Sequence, residues 1–120
     1  MALFLAVAGC TGQATEPMDD LAGVDVALDC PNDLPACAAP PPSWSGAVSG
    51  IVGARCATCH APGGLAAEKP LTSYAEVFPR RSAVLNQVYA CLMPMTPDPP
   101  LSTDERQALL GWLVCGAPDN

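Results

Sequence analysis

The chain has 120 residues, of which 12 are acidic and 5 basic, for a net charge of −7. That balance argues against a nucleic-acid partner, since polyanions are held by clustered Lys and Arg. The length suits one domain, and 7 cysteines point away from a reducing cytosol and towards export.

In chain order, residues 1–9 (MALFLAVAG) form an apolar, uncharged run that reads as a signal-peptide remnant. Val7-Ala8-Gly9-Cys10 resembles a bacterial lipoprotein processing site, with small residues ahead of a cysteine that becomes acylated. The resemblance implies lipidation at Cys10 and a membrane anchor through that lipid. It also implies a periplasm-facing lipoprotein of the cell envelope. Thr11, where an inner-membrane retention signal would have Asp, favours the outer membrane. The run is short and has no basic residue before it, which leaves an upstream start open. An ordinary signal remnant or an unprocessed apolar tail are the alternatives.

Residues 10–43 read as a disordered tether. Glu16, Asp19, Asp20, Asp25, Asp29 and Asp33 fall here with no Lys or Arg, among scattered prolines. Such a segment would reach on the order of 30 Å. Residues 44–120 then form the folded domain, with charges nearly balanced. Ser43 or Ser45 is expected to cap a first helix running towards Ala54, with Val48, Ile51 and Val52 at helical spacing.

Cys56-Ala57-Thr58-Cys59-His60 follows at the end of that helix. Two thiols separated by two residues, with histidine next, form the attachment signature of a c-type haem. The thiols reach the two vinyl groups of one porphyrin as thioethers, and the imidazole meets the iron from the same side. His60 is the one histidine of the chain. The competing readings are a thioredoxin-like redox pair, or a zinc site made by Cys56, Cys59, Cys91 and Cys115. No strand-like alternation supports the first, and the wide spacing of Cys91 and Cys115 disfavours the second.

Ala61-Pro62-Gly63-Gly64 breaks the chain. Thr72 or Ser73 is expected to cap a short helix through Val77, and Pro79 to interrupt it. A further helix is predicted from about Arg81 to Ala90. The run from Cys91 to Pro100 is too proline-rich for helix and reads as a stiff loop carrying Met93-Pro94-Met95. A thioether there offers a sixth iron ligand: Met93, with Met95 as the alternative. Both could instead be filling core space. Ser102 and Glu105 form a capping box for the last helix, which Gly116 and Pro118 end.

This order resembles the class I cytochrome c family over roughly residues 44–118, and more narrowly the small monohaem c-type cytochrome lipoproteins of bacteria. The motif Cys56-Ala57-Thr58-Cys59-His60, the Met-Pro loop and the ending Leu113-Val114-Cys115-Gly116-Ala117-Pro118 carry the resemblance. It implies an all-α cytochrome c-like domain of three to five helices around one covalent haem c, with Cys56, Cys59, His60 and Met93 as its cofactor-binding residues. It also implies that Gly46 or Gly50 of the first helix crosses Trp112. The interval from His60 to Met93 is shorter than the family's, and two methionines flank Pro94, so the choice of methionine stays open.

With Cys10, Cys56 and Cys59 so used, four cysteines remain, and four allow three pairings. Cys30–Cys37 and Cys91–Cys115 are the expected pairs. The second would tie the last helix to the methionine loop. Ile51, Leu85, Val88, Leu92 and Leu109 are candidates for the haem faces. Lys69, Arg80, Arg81 and Tyr74 are candidates for its propionates. A six-coordinate haem fits a monomeric single-electron carrier, not an enzyme, serving redox partners that the sequence does not name. A haem-based sensor or redox-enzyme subunit with an open sixth site is the alternative. A structural envelope lipoprotein holding disulfides or zinc is the other.

Overall fold

The computed structural model describes residues 30–31, 33–96 and 98–120. The signal remnant, Cys10 and the tether as far as Asp29 lie outside the described residues. Within them the fold is all-α, with no strand.

The first helix opens with a π-helical turn, Trp44–Val48, and continues as α1, Ser49–Arg55. Ser43 caps it, its hydroxyl accepting from the Gly46 N–H at 2.9 Å. α2, Tyr74–Val77, is capped by Ser73 and passes through a 3-10 turn, Phe78–Arg80, into α3, Arg81–Tyr89. Pro79 sits in that 3-10 turn, where its missing N–H costs little. α4, Thr103–Val114, carries the full capping box: the Glu105 N–H donates to Ser102 Oγ at 3.1 Å, and the Ser102 N–H to the Glu105 carboxylate at 2.9 Å.

α4 is the centre of the molecule. Leu109, Leu110, Gly111, Trp112 and Leu113 are all buried, so this helix is covered on nearly every side. Val48, Val52, Val77, Leu85 and Val88 of the other helices pack with it in one core. At one end an aromatic group gathers: Trp44 lies 5.5 Å from Trp112, and Tyr74 5.7 Å from Trp44, centroid to centroid. The polar ends of both inner rings are satisfied, since Trp112 Nε1 donates to the Pro118 carbonyl and Tyr74 Oη to the Ala117 carbonyl, each at 2.9 Å.

The expected crossing of Gly46 or Gly50 on Trp112 is corrected here. Trp44 fills the space facing Trp112, and a methyl group on Gly50 would touch nothing within 4 Å. On α4, Gly111 lies under the ring of Pro42, where an added methyl group would make an ordinary 3.5 Å contact.

Two further expectations change together. The described tail of the supposed tether is part of the domain, which therefore reaches back to Cys30. Leu34 packs on the core, the Pro31 carbonyl accepts from Arg106 at 3.0 Å, and Gln107 donates to Asp33 at 2.7 Å. The disulfides are Cys30–Cys91 and Cys37–Cys115, in place of Cys30–Cys37 and Cys91–Cys115. The reason is the track of this segment along α4. Pro31 lies at Arg106 and Cys37 at Cys115, a stretch of helix about 13 Å long. A disulfide spans at most ~7 Å between Cα atoms, so Cys30 is out of reach of Cys37. Cys91, beside Arg106, is out of reach of Cys115 in the same way.

Candidate functional site

The motif Cys56–His60 extends the end of α1 by helical turns. The Cys56 N–H donates to the Val52 carbonyl at 2.9 Å, and the His60 N–H to the Cys56 carbonyl at 3.0 Å. Residues three apart on such a turn share a face, which puts both thiols on one side. Cys56 and Cys59 are the free cysteines among the described residues. The loop that follows folds back over the motif: Ala66 N–H bonds the Cys59 carbonyl and Leu71 N–H the His60 carbonyl, both at 2.8 Å.

That loop fixes the imidazole. His60 is 8 % exposed, and its Nδ1 lies 2.7 Å from the Lys69 carbonyl oxygen. A carbonyl only accepts, so Nδ1 carries the proton. Nε2 is then the nitrogen with the free lone pair, the arrangement in which a histidine binds a metal with a second group holding its ring.

His60, Cys56 and Cys59 open onto a cleft of about 690 Å³. Small-molecule and cofactor sites run roughly 300–1,000 Å³. Val84, Val88 and Leu109 supply apolar wall, and Met93, Pro94 and Met95 line the cleft as well. Met93 is half-buried and Met95 is 46 % exposed. Of the five apolar residues expected on haem faces, Val88 and Leu109 line the cleft. Leu85 is buried elsewhere in the core, Ile51 packs at its edge, and Leu92 is exposed.

Burial pushes the Cys56 thiol up to about 11. A thiol held neutral is a poor nucleophile, the opposite of the acidic cysteine of a thioredoxin-like pair. The four-cysteine zinc site does not form either, because Cys91 and Cys115 are each in a disulfide.

The charged rim differs from expectation. Lys69 and Arg80 line the cleft, while Arg81 does not: it donates to the Phe78 carbonyl and lies 4.1 Å over the Phe78 ring. Tyr74 is turned away to the Ala117 carbonyl. Arg55, not foreseen, lines the cleft and grips Glu105 through two 2.9 Å bonds. Its place directly before Cys56 was the available signal. Asp98 also stands on the rim, 3.9 Å from Cys59 Sγ.

Hydrogen bonds from Arg55, then from the Ser102 N–H, hold the Glu105 carboxyl down to about 2. A carboxylate with a lowered folded-state pKa stabilises the fold above its unfolded value of ~4.3, and that contribution fades as pH falls towards 2. Denaturant midpoints should therefore drop over this window, and Glu105→Gln should flatten the drop. The pair is partly exposed, so solvent screening keeps the effect below what the full shift implies. Equal slopes in both proteins would rule the pair out as the source.

No protein-family model, curated protein or solved structure matches this chain. The site's own chemistry is therefore the test of fit. Paired thiols on one turn, an imidazole with its lone pair on Nε2, soft thioethers from a second loop and an apolar wall suit a covalently attached haem. No helix among the described residues is long and apolar enough to cross a membrane.

Proposed function

We propose that this protein is a single-electron carrier of the bacterial cell envelope, a small monohaem relative of the class I cytochromes c. The observation that carries the reading is the meeting of the Cys56–His60 turn and the Met93 loop in one cleft. Cys56 and Cys59 would hold the group as thioethers, and His60 Nε2 and Met93 would bind its iron. Met93 is favoured over Met95 because it is the more buried of the two. Haem bound there supplies a reversible one-electron couple.

The protein's part is to fix ligands and exclude water. The Lys69 carbonyl sets the imidazole tautomer and orientation. Val84, Val88 and Leu109 keep the cleft apolar, and burial of this kind with a methionine ligand raises a haem potential. With His60 and Met93 both bound to it, the iron would have no site left for substrate chemistry. A lipid on Cys10 would keep the domain, as a monomer, at the membrane surface, with the outer membrane favoured. Redox proteins of the envelope would be its partners.

The test is a visible spectrum of protein matured with a haem-attachment system. The reading expects a sharp reduced α band and a weak far-red band from methionine-bound ferric haem. The far-red band should vanish in Met93→Ala and survive in Met95→Ala; the reverse result moves the ligand to Met95. Haem without a far-red band would favour a sensor or enzyme with an open site. No haem, where a control cytochrome matures, would leave a disulfide-bonded structural lipoprotein.

A further inference from the structure

We propose that Arg106 is a positioning residue for Met93, acting through the end of α3; the proposal rests on the haem reading for Met93's role. Arg106 is 5 % exposed, in the middle of the fold. The ion pair among the described residues is Arg55–Glu105, so this buried guanidinium has no carboxylate within ion-pair distance, and the Asp33 charge acts on it only from farther off. Burying a cation this way is costly unless its donors find strong acceptors. Arg106 finds them in backbone carbonyls. Nη1 donates to Val88 O at 2.6 Å, and Nη2 to Tyr89 O and Pro31 O, each at 3.0 Å. Nη1 also lies 3.4 Å from Cys91 Sγ, while Nε has no partner.

Two of those carbonyls belong to the last turn of α3. A cation there offsets the negative end of the helix, adding a second donor at the Val88 carbonyl and a donor at the Tyr89 carbonyl. What comes next in the chain is the site. α3 closes with Cys91 N–H on the Val88 carbonyl at 3.1 Å and Leu92 N–H on the Gln87 carbonyl at 2.9 Å. This closure needs a left-handed residue after the cap, normally glycine. Here it is Cys91, at φ 57°. A side-chain-bearing residue persists in that region only where its surroundings over-determine it. Its surroundings are the Cys30 disulfide and the Arg106 guanidinium. Two residues later Met93 donates its own N–H to Gln87 O at 3.3 Å and lines the cleft. Arg106 thus grips the turn from which the methionine is launched, without lining the cleft.

The experiment compares Arg106→Lys, Arg106→Met and a core control, Trp112→Phe, in the full chain, both haem-free and haem-loaded. Amide hydrogen exchange is read at Leu92 and Met93 against Leu109 and Leu110 of α4. The proposal expects exchange at Leu92 and Met93 to quicken at least ~10-fold beyond any change at α4 in Arg106→Met, with partial rescue in Arg106→Lys. In the loaded protein the far-red band should weaken and reduced iron should bind carbon monoxide, while the α band stays. The control should change all four amides in proportion. If the Arg106 variants behave like the control, with the far-red band intact, Arg106 is only a stabilising residue and the proposal fails. If Arg106→Met does not fold, Arg106→Lys decides by the same criteria. If no haem is taken up, the functional reading falls, and the exchange pattern of the haem-free protein still judges the grip on the loop.

Discussion

Replacing Gly64 with alanine should cost about 3 kcal/mol and, on the proposed function, remove most haem attachment, because overpacking against fixed atoms is seldom relieved. A Cβ at this position would collide with the Cys59 carbonyl oxygen, and would sit 2.7 Å from its carbon and 3.1 Å from the Ala61 carbonyl oxygen. All three are backbone atoms, so no rotamer change makes room. The Cys59 carbonyl is also the acceptor for Ala66, the bond that folds the loop back over the motif. Pushing it aside loosens the segment that presents the Lys69 carbonyl to His60. Gly50→Ala is the matched comparison. That glycine is helical with nothing within 4 Å of the added methyl, so it should stabilise by roughly 0.5–1 kcal/mol. Denaturant midpoints of the two variants should move in opposite directions. A Gly64→Ala protein as stable as the parent would show that the turn after His60 is not as close as described.

The second large effect concerns the disulfides. Replacing Cys37 and Cys115 with serine should cost roughly 3–4 kcal/mol. With Cys30–Cys91 still closed, the bond restricts a loop of about 30 residues, and loops of that size contribute on this scale in the chain-entropy model. Losing both bonds removes on the order of 8 kcal/mol, comparable with the whole stability of many small domains. The quadruple variant should therefore be unfolded at ambient temperature, or folded only with the proposed haem bound. Chemical unfolding with and without reductant measures this directly. Peptide mapping supplies the other arm, and a Cys30–Cys37 link would overturn the pairing described here.

What the sequence made legible was local. Ser43, Ser73 and the Ser102–Glu105 pair act within a few residues of themselves, so the caps they form could be read in advance. The same holds for Cys56-Ala57-Thr58-Cys59-His60, whose spacing is its own geometry. The contacts that escaped are long-range. Arg106 looks like one more surface charge on an amphipathic helix until the Pro31, Val88 and Tyr89 carbonyls converge on it. Acidic, proline-rich composition does not reveal that the segment of Cys30 and Cys37 follows α4, so it suggests a local link between them in place of the long-range pairs. Leu85 and Ile51 have the right period for an apolar face, but periodicity does not say which of two neighbours that face meets.

The two disulfides also set a timetable. Each joins a cysteine near residue 30 to one beyond residue 90. If the chain is exported as proposed, N-terminus leading, Cys30, Cys37, Cys56 and Cys59 reach the oxidising side before either correct partner arrives. Six cysteines can pair in 15 ways, and the earliest to meet are all wrong for the final fold. Maturation then depends on keeping the first four thiols reduced, or on reshuffling them, until the last quarter of the polypeptide has crossed.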